Sequence, residues 1–203
     1  MRALVLAVVV AASAAFASGV DGVRQSVPKA DALKRGRLAT GLRPALESLG
    51  AQAVPEMIAA FGAPVDPAWT ASAGLAWRVS LLEAMGTFKD ARTRPVFQQV
   101  LADGSAPYLM QRAAAEGLAK LGDVETLFGM LDRDAVVAAL GSARRVSVAK
   151  ALARELGKHP AEARAKLIVR ALSDVGNSWA WATLPSREEE VATRYEAAAA
   201  LVA

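Results

Sequence analysis

Ser147 and Lys150 form the arrangement in this chain that comes nearest to a catalytic pair. A lysine amine one helical turn from a serine hydroxyl can accept the serine proton, as in the Ser-x-x-Lys motif of β-lactamases and penicillin-binding proteins. The companion motifs of those enzymes are absent, because Ser173-Asp174 is followed by Val175 and no Lys-Thr-Gly occurs. Helices often place a serine and a lysine at this spacing by chance, so we expect no catalytic residue here.

The chain is also poor in metal and cofactor ligands. It contains no cysteine and a single histidine, His159, so neither a thiolate site nor a two-histidine zinc motif can form. Neither of the two common glycine-rich phosphate-binding motifs occurs. We therefore expect no metal site, no cofactor and no catalysis. His159 precedes Pro160, which predicts an exposed residue in a turn between helices.

A more informative pattern is the basic stripe of the predicted helix 143–156. At 100° per residue, its polar members fall within about 120° of one another; they are Arg144, Ser147, Lys150, Arg154 and the following Lys158. The apolar residues of the segment lie on the other side, and Glu155 is expected to lie off the stripe without neutralising it. The stripe is either an ordinary solvated face or a surface that steers an acidic protein partner.

Two of the four tryptophans, Trp179 and Trp181, share the predicted loop 177–186. In a chain with few aromatics they either fill a gap in the core between two helices or form an exposed contact site. We favour the buried, structural role. The candidate partner-binding residues are Arg144, Lys150, Arg154, Lys158, Trp179 and Trp181.

The elements that must position these residues follow a repeat. Gly50, Gly86 and Gly122 close similar motifs, Leu-Glu-Ser-Leu-Gly, Leu-Glu-Ala-Met-Gly and Leu-Ala-Lys-Leu-Gly, at a constant step of 36 residues. A period of this size indicates stacked pairs of helices. The composition agrees with helices. Hydrophobic residues make up 54% of the chain and aromatics only 5%, and much of the apolar content is alanine. Such a composition favours helices over sheets. The sequence therefore predicts an all-α protein.

Hydrophobic periodicity places the helices between glycine, proline and aspartate breaks. The predicted helices are 30–49, 54–61, 75–85, 91–102, 107–121, 124–131, 134–140, 143–156, 161–175 and 187–202.

The segment 112–123, Arg-Ala-Ala-Ala-Glu-Gly-Leu-Ala-Lys-Leu-Gly-Asp, resembles a HEAT repeat, more narrowly the short HEAT-like type first associated with phycobilin lyases. Residues 46–60 are similar, and residues 82–100 are similar more loosely. The resemblance covers most of residues 38–202. It implies an α-solenoid of antiparallel helix pairs, an armadillo-like superhelix that binds proteins, and it implies no common chemistry.

The N-terminus resembles an export signal. Arg2 precedes an apolar run from Ala3 to Ala12, and Ala15-Phe16-Ala17 fits the small-x-small cleavage pattern. We expect residues 1–17 to be a signal peptide, 18–29 a linker, and 30–203 the HEAT-like repeat domain. No transmembrane span is expected after cleavage, and the mature protein is expected in the periplasm or outside the cell.

These observations favour a non-catalytic protein-interaction scaffold of the bacterial envelope, with an acidic protein as its partner and no nucleic acid. The formal net charge of +4 permits such a partner without requiring one. Two alternatives stay open. One is a HEAT-like enzyme, similar to nucleic-acid glycosylases or bilin lyases. The other is a structural subunit that self-associates through an open C-terminal end.

Overall fold

A computed structural model describes residues 19–33, 41–143, 145–176 and 187–202, and these residues are helical with no β-strand among them. The predicted all-α class is therefore confirmed for this part of the chain. Its α-helices are α1 (Val20–Ala32), α2 (Leu42–Glu47), α3 (Val54–Gly62), α4 (Ala71–Phe88), α5 (Arg94–Ala102), α6 (Tyr108–Lys120), α7 (Val124–Phe128), α8 (Asp134–Leu140), α9 (Val146–Leu156), α10 (Glu162–Gly176) and α11 (Arg187–Val202). Short 3-10 turns, Ala51–Ala53 and Ala91–Thr93, precede α3 and α5.

The chain divides into two compact units, with the boundary in the sequence between Asp90 and Ala91. In the first unit α4 is the central element, since it packs against α1, α2 and α3. Its N-terminus is capped by Thr70, whose hydroxyl accepts the Ala73 amide at 3.0 Å. Trp77 is 2% exposed and packs edge-on against Trp69, with ring centroids 6.3 Å apart. This helix is the core of its unit.

The second unit is built around a row of helices. Helix α8 packs against α6 on one side and α10 on the other, and α5 packs on α6. Helices α9, α10 and α11 all contact one another. The α5–α6 contact is close because Gly117 has no side chain: a Cβ there would lie 2.5 Å from the buried Phe97 ring. The Phe97 ring packs directly on Gly117, and this close packing holds α5 and α6 together.

Two expectations about the first unit are corrected by the structure. Residues 20–29, predicted as part of a linker, lie in α1, because Val20 and Val27 are fully buried and Glu56 accepts the Val20 amide at 3.2 Å. The predicted helix 30–49 is not continuous. Gly41 has a φ of +93°, a left-handed conformation that interrupts a right-handed helix. Only α2, beginning at Leu42, occupies its second half.

The glycines of the 36-residue step are not structurally equivalent. Gly50 and Gly122 have φ values of +80° and +86° and lie in turns, as the motif predicts. Gly86 lies buried inside α4, which continues to Phe88 and is followed by Lys89 with a φ of +53°. Glycine costs about 1 kcal/mol in a helix interior. Burial of α4 on three neighbouring helices outweighs that cost.

Candidate functional site

Helix α9 has the two faces that the sequence predicts. Val148 and Leu152 are fully buried, while Lys150, Arg154 and Lys158 are exposed. The helix starts at Val146, three residues later than predicted, and ends at Leu156. Arg154 lies in its last turn, where the partial negative charge of the helix C-terminus favours a cation.

The basic residues of α9 form one wall of a groove. The groove has a volume of about 400 Å³ and its other wall is α7 with the turn that follows it. Its lining residues are Phe128, Leu131, Ser147, Lys150, Ala151, Arg154, Glu155 and Lys158. The sequence predicts a helix over 124–131, but α7 has only five residues and ends at Phe128. This short helix is the structural reason that the side of α9 is left as a groove.

Two of the three exposed cations are already paired. Lys158 Nζ forms an ion pair with Glu155 one helical turn away, and Lys150 Nζ lies 3.5 Å from Glu196 Oε1 on α11. The expectation that Glu155 leaves the stripe un-neutralised is therefore wrong, because residues three apart on a helix face the same side. Arg154 has no ion pair with any residue whose side chain the structure describes. Among those side chains, the basic stripe is therefore one unpaired guanidinium between two ion pairs. We call the groove that it borders the Arg154 groove.

Three of the six candidate partner-binding residues, Arg144, Trp179 and Trp181, lie outside the described residues. The other three, Lys150, Arg154 and Lys158, are brought together in the Arg154 groove. Ser147 lines the same groove, but within the described ranges no hydrogen bond joins it to Lys150, whose ammonium instead faces Glu196. This arrangement is that of a charged surface.

His159 is exposed, as predicted, in a turn with a φ of +52°. It borders a second cavity, about 640 Å³, whose other lining residues are nonpolar and mostly small; they are Ala153, Leu156, Gly157, Pro160, Ala165 and Ala200. One imidazole among such residues lacks the convergent polar groups that fix a small ligand. In the ranges described by the structure, no three His, Cys, Asp or Glu residues cluster as a metal site would require.

A smaller cavity, missed by the sequence reasoning, lies along the row of α6, α8 and α10. It has a volume of about 130 Å³, and Ala138 of α8 is bordered by Tyr108 and Arg112 of α6 and by Arg170 of α10. Arg112 Nε is 2.9 Å from Glu116 Oε1, one turn further along its own helix. Its lining includes two alanines, Ala138 of α8 and Ala171 of α10. The sequence signal that could have found it is the alanine content of α8.

The first unit contains a polar cluster that was also missed. The Arg24 guanidinium lies 5.8 Å from the centroid of the Trp69 ring, and its Nη2 donates to the Pro64 carbonyl at 3.1 Å. Nearby, the Thr70 hydroxyl donates to Asp31 Oδ2 at 2.8 Å, and Asp31 is 8% exposed. These contacts join α1 to the segment before α4. They stabilise the fold, since every polar group named here has a partner within the unit.

The chain matches no protein-family model, no curated protein and no solved structure. Among the described residues, every helix is too short or too polar to cross a membrane. The function is therefore inferred from the groove and its chemistry.

Proposed function

We propose that this protein is a non-catalytic interaction scaffold that binds an acidic protein segment through the Arg154 groove. The observation that carries the proposal is Arg154 itself, an exposed guanidinium without an ion pair in the described part of the chain, set between the paired Lys150 and Lys158. A guanidinium recognises a carboxylate through two parallel hydrogen bonds, which gives both affinity and geometry. The neighbouring lysines add long-range attraction.

We further propose that the second unit is a short α-solenoid of HEAT-like helix pairs. The successive packing of α6, α8 and α10 supports this interpretation. So does a recurring contact: Arg133 donates to the Leu101 carbonyl, and Arg164 donates to the Leu131 carbonyl, across 32 and 33 residues respectively. A contact that recurs at about one repeat length is typical of stacked repeats. Solenoids bind partners on the extended concave surface that the curvature of the stack creates.

Export to the bacterial envelope remains part of this proposal, and its support is the N-terminal sequence alone. Intact-mass analysis of the protein purified from its native host tests it. A mature species beginning near Ser18 is expected. A full-length species in the cytoplasm would contradict the proposed localisation and would return the nucleic-acid alternative to consideration.

The binding proposal is tested by cross-linking in the native host, followed by capture of the tagged protein. The triple variant Lys150→Glu, Arg154→Glu, Lys158→Glu should keep its helical spectrum and lose the captured partner. A control is Lys166→Glu on α10, one exposed charge reversal at a residue outside the groove. Equal recovery of the same partner by wild type, triple variant and control would show that the groove does not bind it.

A second candidate is self-association through α11. Its residues Val191 and Tyr195, one turn apart, are 60% and 72% exposed. Apolar side chains at this spacing form a stripe of the kind that pairs helices. Light scattering of the wild type and of Tyr195→Glu distinguishes the two candidates, because only self-association predicts a change in molecular mass.

A further inference from the structure

The Arg154 groove has an apolar floor beneath its charged rim. Leu131 and Ala151 are each 8% exposed, and Phe128 is half-buried. The volume of about 400 Å³ lies within the range of about 300–1,000 Å³ of pockets that hold small ligands. Interfaces concentrate their binding energy in an apolar or aromatic side chain that fills such a pocket. Charge alone therefore does not describe what this groove accepts.

The rim carries charges of both signs. Along it lie Lys150, whose ammonium faces Glu196 of α11, then Arg154, then Glu155 with Lys158. A ligand with uniform, closely spaced negative charge, such as a nucleic acid backbone, would bring a phosphate against Glu155. A ligand with one or two separate carboxylates can reach Arg154 and avoid that contact.

The recessed floor also argues against an anionic lipid surface. Membrane-binding faces insert exposed apolar side chains between the lipids, whereas Leu131 and Ala151 lie below the level of the cations. The chain itself offers no substitute ligand in its undescribed stretches 1–18, 34–40 and 177–186, since they contain no aspartate or glutamate. The occupant must bring its own carboxylates and its own apolar side chain.

We propose that the Arg154 groove binds a segment of another protein in which one large aliphatic or aromatic side chain is flanked by carboxylates. The apolar side chain fills the space over Leu131 and Ala151, and a neighbouring carboxylate pairs with Arg154. This inference rests on the proposed function, because it names the chemistry of the partner that the scaffold would hold.

The probe is a fluorescein-labelled ten-residue peptide with one leucine flanked by three glutamates in a glycine-serine background. Two control peptides replace the leucine by serine or the glutamates by glutamine. Binding to the full-length protein is measured by fluorescence anisotropy at low salt. We expect each control peptide to bind at least tenfold more weakly than the parent peptide, since each lacks one of the two contacts.

Protein variants locate the site. Arg154→Glu should weaken the parent peptide at least tenfold, and Lys166→Glu, with the same change in charge, should leave it within twofold. Ala151→Met, which fills the floor, should abolish the preference for leucine over serine. Circular dichroism of each variant checks its fold, and the peptide controls keep the test decisive if Ala151→Met fails to fold.

The outcomes separate the inference from the proposed function. If the leucine and serine peptides bind equally and Arg154→Glu abolishes the binding of both, the apolar anchor is overturned. The proposal of an acidic partner is then still supported. Equal binding of the glutamate and glutamine peptides overturns both. If single-stranded DNA or phosphatidylglycerol vesicles bind more tightly than the parent peptide and lose binding on Arg154→Glu, the inference that the groove binds a protein segment is overturned. A dimer that Arg154→Glu dissociates would make the occupant a second copy, which also overturns it.

Discussion

Helices α4 and α9 show how differently the two units use a helix. Helix α4 is buried almost all round: eleven of its 18 residues are buried, among them Trp77, Leu81 and Met85. Helix α9 is buried on one side only, with four buried residues among its 11, and carries cations on the other. The first is surrounded by α1, α2 and α3. The second has a five-residue neighbour, α7, that leaves one side open.

This difference indicates which helix surfaces are available to a ligand. A helix that contacts neighbours on every side contributes stability and has no surface left for a ligand. A helix beside a shortened neighbour keeps a free face without losing its packed face. Substitutions in the two helices should therefore affect different quantities, unfolding in α4 and binding in α9. Substitutions in both units test that separation, from the largest expected effect to the smallest.

Trp77→Ala should give the largest loss of stability. Removing a fully buried large aromatic side chain costs about 3–5 kcal/mol, and Trp77 is 2% exposed. Trp69→Ala, at a half-buried ring in contact with Trp77, is the comparison and should cost less. Urea unfolding followed by circular dichroism measures both. Equal, small losses would mean that α4 is not the core of the first unit.

Gly117→Ala should destabilise the second unit even though alanine is the better helix former. The new Cβ would lie 2.5 Å from the Phe97 ring, which is fully buried and cannot move away freely. Overpacking of this kind costs about 1–3 kcal/mol. Gly129→Ala is the matched control, because its nearest heavy atom is 4.0 Å away. Thermal unfolding should separate the two variants, and equal melting temperatures would contradict the close α5–α6 contact.

Thr70→Ala should cost about 1 kcal/mol, since it removes the cap of α4. The hydroxyl accepts the Ala73 amide and donates to Asp31, so it joins α1 to α4 at the same point. Thr70→Ser keeps both hydrogen bonds and should recover most of the stability. If serine and alanine are equally destabilising in chemical denaturation, the lost methyl contact explains the effect and the cap does not.

Arg154→Glu should change the free energy of unfolding by no more than about 0.5 kcal/mol, as surface substitutions usually do. Its side chain is exposed and has no ion pair in the described part of the chain. The same sample should lose partner binding, and that binding should weaken as salt increases. A loss of stability comparable to that of Trp77→Ala would place Arg154 in the structural core and end the contrast between α4 and α9.

The smallest effect concerns the turn after α5. The Ser105 hydroxyl and amide donate to Asp103 Oδ1, at 2.6 and 2.9 Å, and these hydrogen bonds hold the pKa of Asp103 below its ordinary value of 3.8. A lowered native pKa stabilises the fold above the unfolded pKa, and this contribution is lost as pH falls through the native pKa. Ser105→Ala should raise the pKa of Asp103 toward 3.8, as measured by carboxyl-carbon NMR titration. An unchanged pKa would show that the hydrogen bonds are absent in solution.

The sequence predicts the second unit better than the first, for physical reasons. Helix 134–140 and the final helix 187–202 are found at their predicted ends, because glycines and charged residues interrupt the apolar periodicity there. The first unit is predicted less well because long-range contacts there override the local preferences of glycine and polar residues. Val20 and Val27 order a segment rich in glycine and polar residues, and packing keeps Gly86 inside α4.

For the site, the sequence predicts which residues share a face of α9 but not what lies opposite them. Helical periodicity brings Lys150, Arg154 and Lys158 together. The pairing of Lys150 with Glu196 joins residues on two different helices, so no local pattern reveals it. The apolar floor depends on α7 ending early at Phe128, which hydrophobic spacing alone does not predict.

Hydrogen exchange of the full-length protein, with and without the partner recovered by cross-linking, tests the central claim most directly. We expect binding to slow amide exchange over residues 124–131 and 146–158, the two walls of the Arg154 groove, and to leave exchange in α4 unchanged. Protection confined to α6 and α10, or to the first unit, would contradict it, because the partner would then occupy a surface other than the Arg154 groove.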